Sequence, residues 1–199
     1  TRVSGRCCRI TWISMTVLTE MGIDLGRLEL PLNEDKTVLT DLEFQARQAA
    51  EKAWGEFWPE RMKRAAEESG IYPLMARTMW QAAKALNLEQ MPRLGLLNGF
   101  EQGMMNYEGY CWEEGGQVWV GLDESWFNDV VEGGMNYVTH RRVREVLAEE
   151  VCHAYVRQVR PDLAEENIRL DPRDKEAYWK SPVEQATKQF ANWYAAGSN

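Results

Sequence analysis

The apolar residues of this chain change their period twice along its length, and the changes divide it into helical, extended and again helical stretches. Over residues 40–86 apolar positions recur every three to four residues, the repeat of helices with one buried face. Thr40 and Glu43 have the spacing of a capping box, which predicts a helix over 40–57 that Trp58-Pro59 bends or breaks. Helix resumes to residue 68 and Ser69-Gly70 stops it; another is expected over 73–86, with Leu74, Met75, Met79 and Ala82 facing the core. A short strand is expected over 93–97. Residues 107–112 and 117–122 are aromatic and β-branched and are joined by Glu113-Glu114-Gly115-Gly116, which reads as a hairpin. Gly133-Gly134 marks a loop. Helix returns over 139–159 and Pro161 ends it; Asp171-Pro172 punctuates again, and Ser181-Pro182 opens a last helix with proline at its first position. This order predicts an α+β domain: N-terminal helices, a small antiparallel sheet, then two helices.

The helix over 141–158 breaks its own pattern. At about 100° per residue, Val143, Val146, Leu147 and Ala154 fall on one stripe, and Glu150 lands in its middle. A carboxylate pointed at a core costs several kcal/mol unless a proton, a cation or a metal site answers it, on the order given for buried charges. Glu149 and His153 flank that stripe at i and i+4, the spacing that directs two ligands at one ion. The same spacing also describes an ordinary ion pair on a helix surface. His140 lies thirteen residues before His153, on roughly the opposite face, so any metal site here must be mostly carboxylate.

The surroundings of this helix resemble the zincin metallopeptidases, in particular the gluzincin-like group with a downstream Glu ligand. The resemblance covers residues 107–194 and has three parts. The segment Gln117-Val118-Trp119-Val120-Gly121-Leu122-Asp123 resembles the family's edge strand. Leu147-Ala148-Glu149-Glu150-Val151-Cys152-His153-Ala154-Tyr155 resembles its L-x-H-E-x-x-H-A-[YW] helix, with Glu149 where the family has its first histidine. Ser181-Pro182-Val183-Glu184-Gln185-Ala186-Thr187-Lys188-Gln189-Phe190-Ala191 resembles its [NS]-P-x-E-x-x-A-x-x-[FY]-A segment.

The resemblance implies a zincin-like fold with an edge strand and an active-site helix. It also implies a divalent metal held by Glu149, His153 and Glu184, with zinc favoured and Mn²⁺ or Mg²⁺ suited by the carboxylates. Glu150 is the implied general base, taking a proton from the attacking water and passing it to the leaving amine. Val118, Trp119 and Val120 are expected to hold an extended peptide or protein substrate by strand addition, with Tyr107, Tyr110, Trp112 and Trp119 as pocket residues. The departure at Glu149 keeps a second function open: a zincin-like domain with impaired catalysis that serves as a protein-binding or regulatory module. Glu184 has its own alternative, because Ser181 and Glu184 also fit a capping box. Tyr155, Phe190 and Tyr194 read as packing, and Cys152 as an inert thiol.

Composition narrows the setting. The 199 residues are 44% hydrophobic, with nine Trp and five Phe, enough apolar bulk for one packed domain. A net charge of −8 without a dense basic cluster argues against nucleic acid or anionic membrane as partner. No apolar run reaches membrane-span length. Cys7, Cys8, Cys111 and Cys152 form neither a C-x-x-C pair nor a disulfide framework, which suits reduced thiols and a cytoplasmic location. Residues 1–26 read as a leader or extension and 27–199 as a single domain.

Overall fold

A computed structural model describes residues 18–55, 58–101, 107–170 and 174–197. The elements are α1 (Lys36–Trp54), α2 (Glu60–Ser69), α3 (Ile71–Ala85), β1 (Arg93–Leu97), β2 (Gly109–Glu114), β3 (Gln117–Asp123), α4 (Glu124–Gly133), α5 (Tyr137–Val159), α6 (Pro161–Ile168), α7 (Lys175–Lys180) and α8 (Pro182–Gly197). The class is α+β, as the pattern of periods predicts.

Helix ends follow side-chain caps. α1 opens at Asp35, whose carboxylate accepts from the N–H groups of Thr37 and Val38 at 3.1 and 3.2 Å. Thr40 therefore lies inside the helix, where its hydroxyl donates to the Lys36 carbonyl, and the expected capping box with Glu43 does not form. α5 opens at Asn136, which forms a reciprocal capping box with Thr139. Pro161 both ends α5 and starts α6 as its first residue, a helix the sequence reading left as a break. α4, over residues to which the sequence pattern assigns no element, is capped by Asp123 and buries its inner face through Phe127, Val130 and Val131.

The sheet corrects two expectations. Its order is β1-β3-β2, with β3 antiparallel to β2 but parallel to β1, so it is mixed rather than antiparallel. β3 is the central strand, hydrogen-bonded on both sides, and not an edge. Side-chain alternation reports which face a residue uses but not which strands flank it, so the sequence could not tell centre from edge. The two-residue turn Gly115-Gly116 holds both φ angles positive, at 60° and 75°, which glycine tolerates and the hairpin requires. On the far side, α1 covers β1: the Leu94 N–H donates to Gln45 Oε1 at 2.9 Å.

α5 is the central element. Val143, Leu147, Val151 and Ala154 are fully buried, packed between the sheet, α3 and α8. α8 answers with Val183, Ala186, Phe190 and Tyr194. The core also takes in Leu18, Met21 and Ile23, and Tyr155 Oη donates to the Met21 carbonyl at 2.9 Å. Leu18, Met21 and Ile23 thus pack on the core from within the 1–26 segment expected as a leader or extension; residues 1–17, with Cys7 and Cys8, lie outside the described ones. Among the described residues, no helix is long and apolar enough to cross a membrane.

Candidate metal centre

Three side chains from two helices meet at the mid-point of α5. Glu149 and His153 stand one turn apart on α5, and Glu184 faces them from the first turn of α8. One ligand atom from each lies within 4.8 Å of the others. His153 Nε2 and Glu184 Oε1 are 3.6 Å apart. Two donors held at about 2.1 Å from one ion at a tetrahedral angle are about 3.4 Å apart, so this pair already has the needed span.

The alternative role for Glu184 is absent. A capping box needs its carboxylate to accept from the Ser181 N–H, but that N–H donates to the Tyr178 carbonyl at 3.0 Å. Glu184 Oε1 instead accepts from Asn167 Nδ2 at 2.8 Å, and only 2% of the side chain is exposed.

The site forms the floor of a cavity of about 810 Å³ between α5, α8, β2 and the α6–α7 segment. Glu149, Glu150, His153 and Glu184 all line it. Glu150 and His153 are enclosed by protein on nearly every side yet touch the cavity, which is why their surroundings desolvate them without covering them. Burial raises the Glu150 carboxyl well above its usual range, reinforced by Glu149 and Glu184. Burial, opposed by Lys188 and aided by Glu184, pushes Glu149 up to about 7. Burial lowers His153, against the pull of Glu184, so its imidazole is neutral, the form that coordinates metals. The hydroxyl of Tyr178 faces Glu184 and is kept protonated, first by burial and then by that carboxylate.

The donor set fits a divalent cation. Apart from the 3.6 Å approach of His153 Nε2 to Glu184 Oε1, the side chains of Glu149, Glu150 and His153 make no hydrogen bond or ion pair among the described residues. Three carboxylates and a neutral imidazole thus converge on one space, offset in part by Asn167, Tyr178 and the charges of Lys188, Arg142 and Arg157.

The strand that passes the site is β2. A Cβ on Gly109 would lie 2.4 Å from Val146 Cγ1 and 3.0 Å from Glu150 Cγ, so glycine here lets the strand lie against α5 beside Glu150. Arg157 Nη2 ties the same strand to α5 by donating to the Cys111 carbonyl at 3.2 Å. Val118, Trp119 and Val120 are not brought to the cavity wall. Val120 is fully buried, and Trp119 stacks on its cross-strand neighbour Trp112 at 5.8 Å under the Arg93 guanidinium. Tyr107, Tyr110 and Trp112 do line the cavity.

Asn167 and Tyr178 went unnoticed in the sequence. Both lie on short helices around Asp171-Pro172, where no periodic signal marks a face. Lys188 was legible as the residue one turn after Glu184. Comparison with known proteins finds no matching family model, no matching curated protein and no matching solved structure.

Proposed function

We propose that this chain is a zincin-like, metal-dependent peptidase in which Glu149, His153 and Glu184 hold one divalent ion and Glu150 is the general base. The convergence of these three side chains on the floor of an open cavity carries the reading. Zinc suits three ligands and an open position, while the two carboxylates also suit Mn²⁺ or Mg²⁺. When bound, the ion supplies Lewis-acid polarisation of the scissile carbonyl and of water.

The chain's own residues do the rest. Glu150, ionised when a bound cation offsets the burial and neighbouring carboxylates that raise it, would accept the proton of the attacking water and deliver it to the leaving amine. The outer edge of β2, with Gly109–Glu113 along the cavity, holds an extended peptide by backbone pairing, in place of the β3 segment first expected. Trp179 and Ile168, 43% and 63% exposed at the cavity rim, offer apolar seats for its side chains.

The carboxylate at 149 favours a second reading, a zincin-like domain that binds proteins without efficient turnover. Two anionic ligands weaken the ion as a Lewis acid. Zinc affinity and peptide turnover of wild type, Glu149→His and Glu150→Gln decide between them. The peptidase reading expects Glu149→His to bind zinc more tightly and turn over faster, and Glu150→Gln to keep zinc and lose turnover. Zinc binding without turnover in wild type and Glu149→His selects the binding module. Zinc binding no tighter in Glu149→His than in wild type removes Glu149 from the ligand set.

A further inference from the structure

Glu184 is held at the centre by a hydrogen-bonded relay that passes through a different helix, α6. Ser181 Oγ donates to Asn167 Oδ1, and Asn167 Nδ2 donates to Glu184 Oε1 at 2.8 Å. The same oxygen of Glu184 lies 3.6 Å from His153 Nε2. A carboxylate oxygen carries two lone-pair directions. Asn167 occupies one of them and thereby turns the other toward the space shared with His153 and Glu149.

The relay stands on rigid supports. α6 starts with Pro161 at its first position, and the Arg160 guanidinium grips Asp162 with two bonds of 2.9 and 2.7 Å across the α5–α6 junction. Ala164 is buried and Leu163 packs on the core, which fixes the helix against its neighbours. Asn167 is therefore held from below by helix packing and from the side by Ser181, which is 5% exposed.

We infer that Asn167, oriented by Ser181, is a positioning residue that presets the Glu184 carboxylate for metal binding. The inference rests on the metal-centre reading above. Outer partners of metal ligands typically contribute about 10–100-fold in affinity. Asn167→Ala is expected to weaken zinc binding within that range, and Ser181→Ala by less, because Asn167 keeps its bond to Glu184. Asn167→Asp keeps the shape but sets a carboxylate against Glu184, and is expected to weaken zinc as much as Asn167→Ala or more.

The experiment is a zinc titration of the metal-free full chain, well below its unfolding temperature, for wild type, these three variants and Glu184→Gln. Visible absorption of the Co²⁺-loaded proteins is recorded alongside. Affinity in the folded state and the cobalt band both report ligand geometry, which a merely stabilising Asn167 would leave in place. The inference stands if wild type binds, Glu184→Gln loses the ion, and Asn167→Ala binds about tenfold or more weakly with a shifted cobalt band. It falls, with the metal centre intact, if Asn167→Ala and Asn167→Asp bind zinc within twofold of wild type while Glu184→Gln does not. If wild type itself binds no zinc, the metal-centre reading and this inference fall together. Should Asn167→Ala not fold, Ser181→Ala decides: an unchanged affinity and cobalt band overturn the relay.

Discussion

Replacing Glu149 by glutamine should make the metal-free protein more stable while removing its affinity for metal. Burial and the facing Glu184 raise the Glu149 carboxyl from 4.5 to about 7. The folded state thus holds this proton more tightly than the unfolded chain does. Its contribution to stability is complete below pH 4.5 and is lost as pH rises through about 7. At about 1.36 kcal/mol per tenfold change in proton affinity, the rise from 4.5 to about 7 amounts to at most roughly 3 kcal/mol, since the site opens to a solvent-accessible cavity that screens the charge. Glu149→Gln keeps the shape and never ionises. Urea denaturation with a chelator present, at pH 5 and pH 8, measures the effect. The variant should exceed wild type at pH 8 by up to about 3 kcal/mol and match it more closely at pH 5. Between those values its stability should fall with pH less steeply, by up to about one proton's worth, roughly 1.4 kcal/mol per pH unit. Zinc at about 100 times Kd should add about 2.7 kcal/mol to wild type and little to the variant. Equal metal-free stability at pH 8 would refute the reasoning, because the Glu149 charge would then not be held against Glu184 in a desolvated site.

Two further outcomes follow from the same geometry. Zinc affinity of the wild type should climb as pH rises through about 7, because binding must displace the Glu149 proton; isothermal titration in two buffers of different ionisation enthalpy should register proton release. Gly109→Ala places a methyl 2.4 Å from Val146 Cγ1 and 3.0 Å from Glu150 Cγ, so it should push β2 off α5, cost about 1–3 kcal/mol of stability and reduce turnover more than zinc affinity.

The parts of this account that were legible in the sequence are those set by local period. Val143, Val146, Leu147 and Ala154 mark the inner face of α5 by their spacing alone, and Glu150 is conspicuous because it interrupts that face. Glu149 and His153 follow from helical geometry. Glu184 was ambiguous on local grounds, since the same Ser181–Glu184 spacing serves a cap. Its role as a wall of the centre depends on the Ser181 N–H being used by Tyr178, a contact no spacing rule contains. What the sequence hid is long-range. β3 has the alternation of a half-buried strand whether it lies at an edge or between β1 and β2, and only the parallel return of β1 under α1 decides it. Asn167 was hidden because Pro161 reads as a stop, although in this fold it begins the helix that carries the relay.

The central claim is that Glu149, His153 and Glu184 share one ion. Anomalous diffraction at the zinc edge from crystals grown with zinc tests it most directly. The account predicts one strong peak on the cavity floor, about 2.0–2.2 Å from a carboxylate oxygen of Glu149, from His153 Nε2 and from a carboxylate oxygen of Glu184, with Glu150 beside it but not bonded to it. A cavity floor without a peak, in crystals where zinc is bound elsewhere or not at all, would contradict it.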